Sequence, residues 1–169
     1  MLILVTGLTG AGKTTYCREF SKKQISKRYS IDDWMKALYW QDMPKEPDMN
    51  WFIENQKWYT DRIQRCEDLI TKEIVELMQS EITILLDLGF TSVEHRKKYI
   101  ELAQREDCEV EIHYIDVPRD VRWERVQKRN TEKAETYSMI VTKEMFDYIE
   151  EIFEDFAVDE KAIIKIIKS

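Results

Sequence analysis

The chain opens on Leu2-Ile3-Leu4-Val5, a continuous apolar run of the kind expected of a strand buried on both faces. It leads directly into Gly7-Leu8-Thr9-Gly10-Ala11-Gly12-Lys13-Thr14, which satisfies G-x-x-x-x-G-K-[ST] at each fixed position. A helical stretch from about Lys13 to Phe20 follows. Strand, glycine loop and helix together are the context this motif requires. Three of the chain's four glycines lie in the loop, where they let backbone N–H groups converge on phosphate oxygens without Cβ clashes. The helix N-terminus adds the positive end of a dipole. Lys13 is placed to reach β- and γ-phosphates, and the Thr14 hydroxyl to ligate Mg²⁺. The expectation is a nucleoside triphosphate site, for ATP with Mg²⁺, formed by Gly7 to Thr14 with Thr15 beside it.

The rest of the chain alternates strand and helix signals. Lys27–Ser30, Ile82–Leu86, Val110–Ile115 and Ala162–Ile167 read as strands. Asp32–Trp40 reads as a short helix, and Asp42–Asn50, with Pro44 and Pro47, as a loop. One long helix is expected from about Trp51 to Gln79, with Tyr59, Ile63, Cys66, Ile70, Ile74 and Leu77 on one face. Thr91 and Glu94 have capping-box spacing and open a helix to about Arg105. Pro118 suits the first turn of an arginine-bearing helix. Asn130–Val141 has no strong period and reads as a mobile stretch. Thr142 caps a last helix on which Phe146, Ile149 and Phe153 share a face. The pattern predicts an α/β fold with about five mainly parallel strands flanked by helices, as one domain over residues 1–169.

With 169 residues, 43% apolar and 35% charged, the chain has an ordinary globular composition. It shows no apolar run long enough for a membrane span and no signal peptide, so the expectation is a cytoplasmic protein without a membrane partner. Cys17, Cys66 and Cys108 are odd in number and far apart, as reduced thiols would be. His95 and His113 read as ordinary satisfied residues. A net charge of −7 argues against a duplex nucleic-acid partner. A monomer or weak homodimer is expected.

Two features point to phosphoryl transfer. Asp32-Asp33 follows the second strand, at the end of a parallel sheet where ligands sit. A carboxylate there could accept the proton of an attacking hydroxyl, or could cap the next helix. Arg119, Arg122, Arg125 and Arg129 share one helix, and at about 100° per residue the last three span an arc of about 60°. They could stabilise a transferring phosphoryl group or form a solvated basic face. The chain lacks Asn-Lys-x-Asp, which argues against a guanine-specific GTPase, and a lone Asp87 ends the third strand. Gly89 beside it leaves room for a ligand or a sharp turn.

The order of the phosphate loop, Ser30-Ile31-Asp32-Asp33, Leu85-Leu86-Asp87, Asp116-Val117-Pro118 and Lys128-Arg129-Asn130 resembles the small P-loop kinases around the polynucleotide 5′-kinase domain and the chloramphenicol phosphotransferases. It looks closest to uncharacterised bacterial predicted kinases with an Asp-x-Trp motif, AAA-type ATP-binding proteins. The resemblance runs from Met1 to about Phe156. It implies Asp32 as general base, Asp87 near the acceptor or the metal's water shell, and Arg129 in an arginine-bearing lid, with Arg122 and Arg125 as further lid residues. Asp33, Trp34 and Arg62 fall in the region that binds the acceptor in such kinases, together with Trp40, Trp51, Trp58 and Arg65. Aromatic and arginine side chains there could stack on a base or pair with a phosphorylated metabolite, or could be core and surface. The leading expectation is an ATP-dependent kinase acting on an unidentified hydroxyl acceptor, a small molecule or a nucleic-acid 5′ end. The alternatives are a P-loop NTPase or nucleotide sensor controlling a protein partner, and a toxin-type metabolite kinase.

Overall fold

A computed structural model describes residues 1–132 and 139–168. Five strands form one parallel sheet in the order β2-β3-β1-β4-β5, where β1 is Leu2–Thr6, β2 Ser26–Ser30, β3 Thr83–Asp87, β4 Val110–Asp116 and β5 Ile163–Lys168. β1 is central because every one of its side chains is apolar or small and can be buried on either face. Leu2 and Leu4 point into one core with Ile84, Leu86 and Ile112. Ile3 and Val5 point into the other, with Leu85, Ile115 and Val117. At about 25 cal/mol per Å² of apolar area, burial on two faces makes this strand the spine of the fold.

The helices cover both faces. α1 (Lys13–Lys23) lies over the second core through Cys17, Tyr16 and Phe20. α4 (Gln56–Met78) and α5 (Val93–Arg105) cover the first through Cys66, Ile70, Ile74, Tyr99 and Ile100. α2 (Ile31–Tyr39) packs on α4, and a short 3₁₀ turn, Trp40–Asp42, follows it. α6 (Arg119–Glu132) and α7 (Lys143–Glu151) complete the chain on the P-loop side.

Four local expectations are corrected. The long helix is interrupted: α3 (Met49–Glu54) ends at Asn55 before α4 begins. Asp48 caps α3 by accepting from the Trp51 N–H at 2.8 Å, and Asn55 donates its side-chain amide to Trp51 O, which releases the helix there. The cap of α5 is Ser92, which accepts from His95 N–H, not Thr91. Ser30, not an aspartate, caps α2 by accepting from the Asp33 N–H. The face Tyr59–Leu77 turns inward as expected, and Thr142 caps α7, accepting from Met145 N–H. Phe153 lies beyond the end of α7 and stacks on Tyr114 instead of extending the helix face. Of the stretch read as mobile, residues 133–138 lie outside the described residues. Cys17, Cys66 and Cys108 are free and buried. No helix among the described residues is long and apolar enough to cross a membrane.

Candidate active site

The loop between β1 and α1 is built on three glycines with positive φ: Gly7 at 149°, Gly10 at 81° and Gly12 at 97°. Gly10 is the position that most needs to be glycine. A Cβ there would sit 2.5 Å from the Arg122 carbonyl oxygen and 3.0 Å from the Val126 side chain. The loop therefore lies flat against α6, and both its backbone conformation and this close approach require the missing side chain. Lys13 folds back to donate to the Gly7 carbonyl at 2.8 Å, which holds its ammonium over the loop opening. The first helical N–H groups of α1 face the same opening, because Gly12 supplies no capping side chain.

α6 presses its arginines on this loop. Arg122 is buried, donating through Nε to the Val117 carbonyl at 3.0 Å and through Nη1 to the Thr9 carbonyl at 3.3 Å, with an ion pair to Glu150 of α7. Arg125 is exposed and donates to the Ala11 carbonyl at 3.3 Å. Arg129 is half-buried, and its charge acts on Asp32. The three arginines expected on one arc do share the P-loop side. Their environments differ, however, and Arg122 is fastened into the wall of the loop by groups that leave little of it to move. Arg119 lies outside this set, paired with Glu150 and Asp147 on the surface.

The second group of residues comes from β2, α2 and β3. Asp87, at the carboxyl end of β3, is buried, while Asp32 and Asp33 in the first turn of α2 keep contact with solvent. Protein atoms nevertheless crowd around the Asp32 carboxyl. That crowding, followed by the charge of Asp87, raises its carboxyl above the usual range, while Lys13 and Arg129 pull it back. Asp32 thus feels the charges of Asp87, Lys13 and Arg129, brought to one cleft from three other elements. Tyr59 of α4 belongs to the same cleft: its hydroxyl is pushed up to about 12, mainly by burial and further by Asp32.

Arg28 is the residue sequence reasoning missed. Its guanidinium donates to Asp33 Oδ2 at 2.6 Å, to Asp87 Oδ2 at 2.8 Å and to Thr14 Oγ1 at 3.3 Å. Its Nε is buried with no hydrogen-bond partner among the described residues, and an unmade bond of this kind costs about 1–3 kcal/mol. The sequence did carry a signal. An arginine inside a strand, four and five residues before two aspartates, is a cation waiting for a carboxylate.

Across the cleft, aromatic side chains line α2, α3 and α4. Arg62 lies with its Cζ 3.7 Å from the Trp58 ring centroid and 5.4 Å from that of Tyr39, and donates to the Trp58 carbonyl. Trp51 packs edge-on to Trp58, and Phe52 edge-on to Tyr59. Trp34 is half-buried against Tyr29 at the edge of the first core, and Trp40 is half-buried in the turn after α2. Arg65 is exposed and acts on Asp61. Thr15 is exposed on the first turn of α1. Gly89 has φ 94° and open space where a Cβ would be, so its role is the turn after β3. His113 is buried and bonded to both Tyr16 and Glu111, and His95 is half-buried beside Glu67.

An archaeal L-seryl-tRNA(Sec) kinase, from Methanococcus maripaludis, is 25% identical over 147 residues, which is 87% of this chain and 51% of that protein. The chain therefore spans about half the length of that relative. A candidate kinase from Chloroflexus aurantiacus has the same fold with a TM-score of 0.70 at 14% identity, covering 99% of this chain and 84% of the other. Chaetomium thermophilum Kti12, solved with ADP-AlF3, has a TM-score of 0.65 at 15% identity, covering 99% and 89%. The model of the AAA domain family matches residues 2–153, nearly all of the sheet together with both sides of the cleft. The chain belongs to that AAA domain family and carries the P-loop kinase fold.

Proposed function

We propose that this chain is an ATP-dependent phosphotransferase that moves the γ-phosphoryl group to a hydroxyl. The observation that carries the reading is the placement of Asp32. Its carboxylate feels the charges of Asp87, of the P-loop Lys13 and of Arg129 of α6. A general base for an attacking hydroxyl must stand opposite the phosphate-holding lysine, where phosphoryl transfer is largely a matter of position and charge.

In this reading the backbone of Gly7–Gly12 and the N-terminus of α1 hold the phosphate chain, and Lys13 leaves the Gly7 carbonyl for the β- and γ-phosphates. Arg129, with Arg125, faces the transferring group. Arg122 is assigned to holding the loop against α6, because its donors are committed to Val117, Thr9 and Glu150. Asp32 accepts the acceptor's proton. Tyr59 feels the charge of Asp32, and the cluster of Tyr39, Trp51, Trp58 and Arg62 offers flat apolar faces with a cation, suited to a planar or phosphorylated acceptor. The acceptor is a small molecule in this proposal, because the acidic surface opposes a long polyanion.

The donor set fits Mg²⁺. Thr14 Oγ1 and Asp87 Oδ2 are hard oxygens brought to a common nitrogen of Arg28, so both already face one cation. Thr14 and Asp87 would hold Mg²⁺, which would supply positive charge against the negative charge of the transferring group.

The test is ATP turnover by the purified protein with and without a mixed library of hydroxyl acceptors. A kinase shows ADP release that depends on an acceptor, and the phosphorylated product is then identified by mass. ADP release of the same rate with and without acceptors would instead support an NTPase or nucleotide sensor.

A further inference from the structure

Arg28 stands in the middle of β2, the edge strand beside β3. It is largely buried, its side chain 19% exposed, and its contacts are not those of a surface ion pair. One nitrogen, Nη2, donates both to Thr14 Oγ1 at 3.3 Å and to Asp87 Oδ2 at 2.8 Å; the other, Nη1, donates to Asp33 Oδ2 at 2.6 Å. Thr14 and Asp87 are the two protein oxygens that the preceding reading assigns to the divalent cation. Arg28 is therefore bonded to the oxygens a metal would use.

A guanidinium cannot lose its charge in a protein. Here the Asp87 and Asp33 carboxylates outweigh the effect of burial and hold its pKa above its already high usual value. A divalent ion held by Thr14 and Asp87 would have to share both oxygens with this fixed positive charge and would be repelled by it. The protein alone offers a metal one threonine hydroxyl and the Asp87 carboxylate already paired with Arg28; Asp32 brings a second carboxylate near Asp87, but Lys13 and Arg129 act on it as well, so the negative charge is too little to overcome that repulsion. Consistent with this, no group of three or more His, Cys, Asp or Glu among the described residues is arranged to hold a metal ion. Phosphate oxygens would change the balance, because they bring several negative charges and further oxygen ligands to the same side of Thr14.

We infer that Arg28 acts as a resident cation at the metal position, so that the protein takes up a divalent ion only together with a nucleotide. The inference rests on the kinase reading for the identity of the metal ligands. Asp33 is the anchor that Arg28 keeps when Thr14 and Asp87 are drawn toward the metal. This gives the second aspartate of the Asp32-Asp33 pair a positioning role distinct from proton transfer. Cys17, buried just below, feels both Asp87 and Arg28, with its thiol pushed up to about 12 chiefly by burial. It stays a neutral thiol that adds no charge to the contest.

The test is direct binding of Mn²⁺, followed by electron paramagnetic resonance of the free ion, to wild type, Arg28→Met and Arg28→Lys, with and without ADP. In the absence of ADP, wild type and Arg28→Lys should bind Mn²⁺ at least about tenfold more weakly than Arg28→Met. With ADP present the difference should shrink to within about threefold. Equal Mn²⁺ affinity of wild type and Arg28→Met without ADP overturns the inference. Failure of every protein to bind ADP, measured separately by calorimetry, overturns the nucleotide reading on which it rests. Should Arg28→Met fail to fold, as judged by circular dichroism, the wild type alone decides. Millimolar Mg²⁺ should raise its melting temperature only when ADP is present, and a comparable rise with Mg²⁺ alone, abolished in Asp87→Asn, overturns the inference.

Discussion

At the scale of single residues, the cleft separates groups that a sequence cannot rank. Asp32 and Asp33 are neighbours with the same chemistry, yet Asp33 is taken up by Arg28 while Asp32 faces Lys13 and Arg129. Asp32→Asn should therefore keep ATP affinity and lose about 10²–10⁴-fold in kcat, the usual worth of a general base. Measured by coupled ADP release once an acceptor is known, a nearly normal rate in Asp32→Asn would remove Asp32 from catalysis. Arg129 makes a second case. In the proposed reading, ground-state ATP is held by loop backbone and Lys13, whereas a cation from α6 is worth most when charge spreads over the transferring group. Arg129→Lys keeps the charge but loses the planar fork. It should lower kcat by more than about tenfold while leaving the ATP dissociation constant within about twofold. A change confined to KM would make Arg129 a uniform binder of ATP.

At the scale of elements, the site depends on how segments are fastened together. α6 is bolted to the loop by Arg122, and α5 is bolted to the segment before β5 by Arg96. Both Arg96 and its partner Glu160 have fully buried side chains. The guanidinium bonds Glu160 at 2.7 and 3.0 Å and also donates to the carbonyls of Phe90, Glu154 and Asp155. Its Cζ lies 4.9 Å from the Phe156 ring centroid, with Phe153 further out. Glu160→Ala should cost about 3–5 kcal/mol, because it strands a buried cation. Urea unfolding measures this, and a loss under about 1 kcal/mol would mean that water reaches Arg96 and the latch is not dry. The contact is an element-scale feature for a further reason: Arg96 and Glu160 are 64 positions apart, so nothing in local sequence pairs them.

For the whole molecule, the ion pairs give acid sensitivity a definite sign. Burial alone would raise Glu67, Glu111 and Glu150, but His95 and Lys98, Lys165 and His113, and Arg119 and Arg122 respectively outweigh it, and all three are lowered. A carboxylate whose folded pKa is depressed stabilises the fold above its unfolded value, about 4.3, and loses that contribution as pH falls through the folded value. His113 is lowered by burial, so below about pH 6.5 the unfolded chain binds its proton more readily and stability begins to fall. Unfolding free energy should thus decline gently from about pH 6.5 and steeply below about pH 4.3. Urea titrations at several pH values check this, and stability that stays level down to pH 3 would contradict it. The order of strands and helices, the central apolar strand and the phosphate loop were legible in the sequence. Each is written in local pattern, as an apolar run, a fixed spacing of glycines or a period of 3.6, and local pattern is set by backbone sterics and burial. The break at Asn55, the separation of Asp32 from Asp33, the wall-bound state of Arg122 and the whole role of Arg28 were not legible. The break at Asn55 turns on two local side-chain hydrogen bonds to Trp51; the others depend on which charge lies within about 3 Å of which other, and only the parallel register that sets Ser30 beside Asp87, with the packing of α6 against Gly10, decides those distances.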